Sequence, residues 1–132
     1  MKNKENNFAF IDGQNLDLGI QNMGWKLDYV RFRKYLTELV FKPTIPDSDG
    51  NVKGNIDADL VLQAMLDFSN YDKAIIVTSD GDFYSLVKHL YKNNKLCFVM
   101  SPYIQTCSTL LKKEAKEKIV FMDNLRKKLG YK

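Results

Sequence analysis

At 132 residues and 45% hydrophobic content, the chain has material for one domain with a real core and little more. No apolar run approaches the roughly 20 residues of a membrane-spanning helix. The net charge of +4 is uneven: from Lys112 to Lys132 eight basic residues face three acidic ones, and the rest of the chain has twelve against thirteen. That basic tail suits a phosphate backbone, or simply a solvated helix face.

The polar residues 1–7 read as a flexible tail and lack the apolar core of a signal peptide, so a cytoplasmic protein is expected. Residues 8–11 form a short apolar strand, closed by the turn Asp12-Gly13-Gln14-Asn15. A short helix over 15–23 breaks near Gly24. Asp28 is placed as the N-cap of a helix running to Glu38. A short strand is expected over 39–41, and 43–54, with two prolines and two glycines, reads as a mobile loop. A helix over 57–69 follows. Residues 74–78 are β-branched and apolar, the pattern of a strand buried on both faces. The turn Ser79-Asp80-Gly81-Asp82 leads from it into a helix whose Phe83, Leu86, Val87, Leu90 and Tyr91 share one face. A strand over 96–100 is closed by Ser101-Pro102. A helix over 108–116, a strand over 119–121 and a helical turn or two over 123–129 complete the chain. Strands alternating with helices predict a mostly parallel sheet with right-handed crossovers.

Two acidic turns thus follow two apolar strands, where open α/β sheets place their ligand crevices. If those strands are parallel neighbours, Asp12, Asp80 and Asp82 converge. Asp57 joins them by helical angle. At 100° per residue it lies on the midline of the stripe made by Leu60, Val61, Ala64, Met65 and Phe68, whereas Asp59 and Asp67 lie on other sides. A carboxylate on a buried face is costly unless it is paired or binds a cation, although an N-cap role accounts for Asp57 equally well. Gathered carboxylates repel one another, and Mg²⁺ or Mn²⁺ relieves that with hard oxygen ligands. Asn15 offers a neutral oxygen or a helix cap. Ser79 and Thr78 offer hydroxyls to a ligand carboxylate or a phosphate.

Other chemistries fit less well. The single His89 lies off the apolar face of its helix, which removes a Ser-His-Asp site and a zinc constellation. No phosphate-binding loop or dinucleotide fingerprint is present. A phosphoaspartyl route at Asp12 would want a second carboxylate where Gly13-Gln14 stand. Cys97 and Cys107 lack metal-ligand spacing and read as core thiols.

Three motifs, Phe10-Ile-Asp-Gly-Gln-Asn15, Lys53-Gly-Asn-Ile-Asp57 and Val77-Thr-Ser-Asp-Gly-Asp-Phe83, resemble in order those of NYN domains of the LabA-like (DUF88) type, in the PIN-like nuclease superfamily. The resemblance implies a three-layer α/β sandwich with a mostly parallel central sheet and metal-dependent RNA cleavage. It maps catalytic and metal-binding roles onto Asp12, Asp57, Asp80 and Asp82, with Mg²⁺ or Mn²⁺ as cofactor. Asn15, Ser79, Lys53, Lys112 and Lys113 are candidates for holding the substrate. The chain departs from the family by lacking one strand–helix unit after the helix ending near Glu38. That shortening is expected to expose Leu39, Val40 and Phe41, which a homodimer would cover. Two function classes stand at this point: a metal-dependent ribonuclease, or an RNA-binding or protein-interaction module that keeps the fold without turnover.

Overall fold

The structure, a computed structural model, describes residues 6–39, 41–44 and 53–130. In chain order it contains β1 (Asn7–Ile11), α1 (Gly13–Asn22), α2 (Tyr29–Glu38), β2 (Phe41–Thr44), α3 (Lys53–Leu66) and β3 (Ala74–Val77). A 3-10 turn (Gly81–Phe83) then leads into α4 (Tyr84–Lys92) and β4 (Leu96–Ser101). A second 3-10 turn (Ile104–Thr106), α5 (Thr109–Ala115), β5 (Ile119–Phe121) and α6 (Arg126–Leu129) follow. The strands form one sheet in the order β2-β1-β3-β4-β5, and every pairing is parallel.

Side chains alternate across a strand, so each central strand feeds two cores. Phe8, Phe10, Ala74 and Ile76 face one layer, where they meet Leu60 and Ala64 of α3, Leu86, Val87 and Leu90 of α4, and Leu111 of α5. Ala9, Ile11, Ile75 and Val77 face the other, against Leu16 and Ile20 of α1, Phe32 and Leu36 of α2, and Leu129 of α6. The parallel sheet expected from the alternation of elements, and the α/β three-layer sandwich that the resemblance implies, are therefore the observed fold. No helix among the described residues is long and apolar enough to cross a membrane.

Several boundaries differ from the sequence expectation. Asn7 is a buried strand residue rather than tail, and residues 1–5 lie outside the described residues. The short strand after α2 spans Phe41–Thr44 instead of 39–41. Of the expected loop over 43–54, Pro43 and Thr44 belong to β2, Lys53 and Gly54 to α3, and 45–52 lie outside the described residues. Pro43 is tolerated because β2 is an edge strand, where a missing N–H can face outward. The apolar surface expected around 39–41 is smaller than foreseen. Phe41 is buried, its ring centroid 6.3 Å from that of Phe98. Leu39 is exposed, and Val40 lies outside the described residues. Cys97 is half-buried and Cys107 buried, and burial raises the Cys107 thiol above its ordinary value.

Candidate metal centre

From β1 the chain crosses to β2 on one flank and later returns as β3 on the other, so β1 and β3 frame the point where strand order reverses. Both acidic turns open there. Asp12 is the first residue past β1, and its N–H donates to Val77 O at 3.0 Å, which ties it to the end of β3. Its side chain is 2% exposed. Oδ1 accepts from Asn15 N (3.3 Å), capping α1, and Oδ2 accepts from the Thr78 hydroxyl (3.1 Å). The Thr78 oxygen in turn accepts from Asp80 N at 3.1 Å. One hydroxyl thereby fixes both acidic turns. Asp80 Oδ1 accepts from Asp82 N at 2.9 Å, capping the 3-10 turn.

Asp57 arrives from α3. The helix begins at Lys53, so Asp57 lies past its first turn and is not the N-cap. It is half-buried on the face that carries the fully buried Leu60 and Ala64. Of the expected stripe, Val61 and Phe68 are half-buried and Met65 is 41% exposed, while Asp59 is exposed as foreseen. Asp12, Asp57 and Asp80 each bring one carboxylate oxygen within 4.8 Å of the others. Oxygens sharing a Mg²⁺ at about 2.0–2.1 Å stand about 3–4 Å apart, so modest side-chain adjustment suits this donor set to a hard divalent cation.

Asp82 is not in that group. It is exposed, and with Asp57 it edges an open cleft of about 490 Å³. Asn15 uses its Oδ1 to accept from Ser79 N at 2.7 Å, stitching α1 to the β3 turn. Ser79 is buried, with its hydroxyl 2.7 Å from that of Ser101 at the end of β4. Lys112 and Lys113 lie in the last turn of α5, half-buried and exposed respectively, while the Lys53 side chain lies outside the described ones. The N-cap of α5, Ser108, donates its N–H to Ser79 O and packs on Gly81, where an added Cβ would overlap the Ser108 hydroxyl.

Two supporting residues escaped the sequence reading. Ser101 ends an otherwise apolar strand, and a hydroxyl at that place was its sole hint. Tyr29 had none. Its hydroxyl donates to Asp17 Oδ1 at 2.9 Å and lies 3.4 Å from Gly13 O. Burial first, then the Asp17 bond and charge and the Asp12 charge, hold its phenol well above the ordinary value.

An open parallel α/β sheet with three aspartates gathered at its switch point defines an acidic-crevice domain whose donor set suits a hard divalent cation. More particularly, the chain belongs to the NYN domain family, whose profile matches residues 38–123. That stretch contains Asp57, Asp80 and Asp82, and the β1–β3 pairing adds Asp12 from outside it. The NYN domain, of the PIN-like nuclease superfamily, and the three clustered aspartates fit a metal-dependent nuclease. The fold is similar to a crystal structure of a protein of unknown function from Vibrio parahaemolyticus, at TM-score 0.66 and 23% identity, covering 99% of this chain and 100% of that one. No curated protein matches the sequence.

Proposed function

We propose that this protein is a Mg²⁺- or Mn²⁺-dependent ribonuclease of the LabA-like NYN type, acting in the cytoplasm, where thiols such as that of the buried Cys107 are at home. The observation that carries the reading is the approach of Asp12, Asp57 and Asp80 to within 4.8 Å at the sheet's switch point. These three would hold the cation. Bound there, it would supply charge to the scissile phosphate and lower the pKa of a bound water. The chain's own part is positional. Asp12 is locked by Asn15 N and the Thr78 hydroxyl, and Asp80 by its bond to Asp82 N. Such pre-set donors are what an in-line phosphoryl displacement needs, because positioning and charge supply most of its acceleration. Asp82, Lys112 and Lys113 are assigned to the approaching strand, and the excess of basic residues after Lys112 favours its backbone.

Incubation of unstructured RNA with the protein should give cleavage in Mn²⁺ and none in EDTA. One observation favours the second reading, an RNA-binding or interaction module without turnover: Asp82 stands outside the carboxylate group. RNA bound but uncut in Mn²⁺ would establish that reading instead. A homodimer remains part of the proposal through exposed Leu39, with light scattering as its measure.

A further inference from the structure

Beside the three aspartates lies the cleft of about 490 Å³, walled by Val61, Leu62 and Met65 of α3 and by Phe83 behind the acidic turn. Its volume is that of a small-molecule site. Leu62 is 55% and Met65 41% exposed, so neither serves the core. Among the described residues its ionisable groups are Asp57 and Asp82, which as carboxylates only accept hydrogen bonds.

We propose that this cleft receives one unpaired nucleobase of the RNA strand, next to the phosphate held at the aspartates, a reading that rests on the ribonuclease assignment above. The lining excludes the other parts of a nucleotide. A phosphate would meet two carboxylates and, among the described residues, no cation in the lining, and a ribose has no flat apolar face for leucine and methionine. A base has both a flat face and, along its edge, N–H donors for acceptors at the rim. Asp57 belongs to the cleft and to the carboxylate group alike, so the occupant sits beside the reacting phosphate. In a duplex the base faces are stacked and the edges paired, so the cleft selects single strands. Asp82 selects further, for bases with an exocyclic amino group over uracil.

The test is equilibrium binding of labelled eight-nucleotide strands, oligo(A), oligo(C) and oligo(U), and of an eight-base-pair duplex. Fluorescence anisotropy is read with Ca²⁺ in place of Mn²⁺, so that no turnover is required. The parent should bind the amino-bearing single strands about tenfold tighter than the duplex. The double variant Leu62→Ala/Met65→Ala, which truncates two exposed side chains, should bind them about tenfold more weakly at an unchanged melting temperature. Asp82→Asn should erase the margin of oligo(A) and oligo(C) over oligo(U). Duplex bound as well as single strand, or a double variant that binds like the parent, overturns the proposal. So does a double variant that turns a dimer into a monomer without weakening RNA, because the cleft would then seat a second copy. Cleavage in Mn²⁺ is scored apart. A parent that prefers single strands and does not cut removes the ribonuclease and keeps the base subsite; a parent that cuts while the double variant binds normally removes the subsite alone.

Discussion

At the amino edge of the sheet, Lys95 donates to the carbonyls of Phe68 and Tyr71 and stands 4.5 and 4.8 Å from their ring centroids, whereas at the carboxyl edge Asp12, Asp57 and Asp80 are drawn toward one another. The amino edge also seats Lys73 on the Asn94 carbonyl at 2.6 Å and Lys118 on the Leu96 carbonyl at 3.2 Å. These ammonium groups meet acceptors and ring faces that complete them. The aspartates are instead brought within 4.8 Å of their own kind, an arrangement whose repulsion a divalent cation relieves. A count of charges would not separate the two edges. What separates them is the company each charge keeps: carbonyls and ring faces around the lysines, other carboxylates around the aspartates.

The sharpest way to break that comparison is to neutralise one member of each edge. Asp80→Asn should lower Mn²⁺-dependent cleavage by about a hundredfold or more in a gel assay of RNA. It should also reduce the thermal stabilisation by Mn²⁺, which for the parent amounts to about 2.7 kcal/mol at a hundredfold excess over its Kd. The apo variant should be as stable as the parent or more so, having lost a repelling charge. Lys95→Met should do the reverse, costing about 1–2 kcal/mol in urea denaturation and leaving cleavage within about twofold. Loss of cleavage in the lysine variant, with an intact Mn²⁺ response in the aspartate variant, would invert the assignment.

Next in size is Gly81→Ala, expected to cost about 1–3 kcal/mol because its Cβ would drive the acidic turn off Ser108. Removing the obstructing hydroxyl checks the cause: Gly81→Ala/Ser108→Ala should be less destabilised than the two singles summed, even though Ser108 Oγ accepts from Leu110 N and caps α5. Thr78→Val should cost about 1–3 kcal/mol, since the hydroxyl serves Asp12 and Asp80 N together. Because it orients a proposed metal ligand, the same change should weaken Mn²⁺ binding about tenfold by calorimetry.

The acidic turns were legible because each ends a run of apolar residues, and such runs become adjacent central strands whose carboxyl ends meet. Asp57 was legible by angle, since Leu60 and Ala64 are buried on its side of α3. The start of that helix was not. Gly54 and Asn55 are weak helix formers, and packing of the later turns carries the helix back through them to Lys53. Asp80 and Asp82 look alike in sequence, two residues apart in one turn. They diverge because the 3-10 turn is capped by the first and leaves the second exposed. Ser79 shows a related limit: a hydroxyl among acids suggests a ligand contact, and only the β3–β4 pairing reveals that Ser101 is also delivered to it. Tyr29 acts across 12 residues from Asp17, which no periodicity records.

The smallest expected effect concerns that tyrosine, and it tests how far the carboxylate edge reaches. Asp17 is an exposed acid whose observed partner is a neutral phenol at 2.9 Å, in contrast to the gathered group nearby. Water replaces the phenol readily at an exposed carboxylate, so Tyr29→Phe should cost only about 0.5 kcal/mol at pH 7. Cleavage should stay within about twofold. The pH dependence has a definite sign. Burial and the Asp17 bond raise the folded-state phenol above its ordinary value of 10.0. The folded state therefore keeps a proton that the unfolded chain gives up near that value. The stabilisation by Tyr29 is fully present below about pH 10 and is lost as pH climbs toward the folded value. Urea denaturation of parent and variant at pH 7, 9 and 10.5 should show a constant gap at the first two and a smaller or reversed one at the third. Tyr71, pushed up to about 12 by burial and then by Asp67, is common to both proteins and cancels from the difference. A gap that widens at pH 10.5 would mean that the folded phenol ionises more readily than the unfolded one. The Asp17 and Asp12 carboxylates would then have no hold on Tyr29, and the influence of the acidic edge would stop at Gly13.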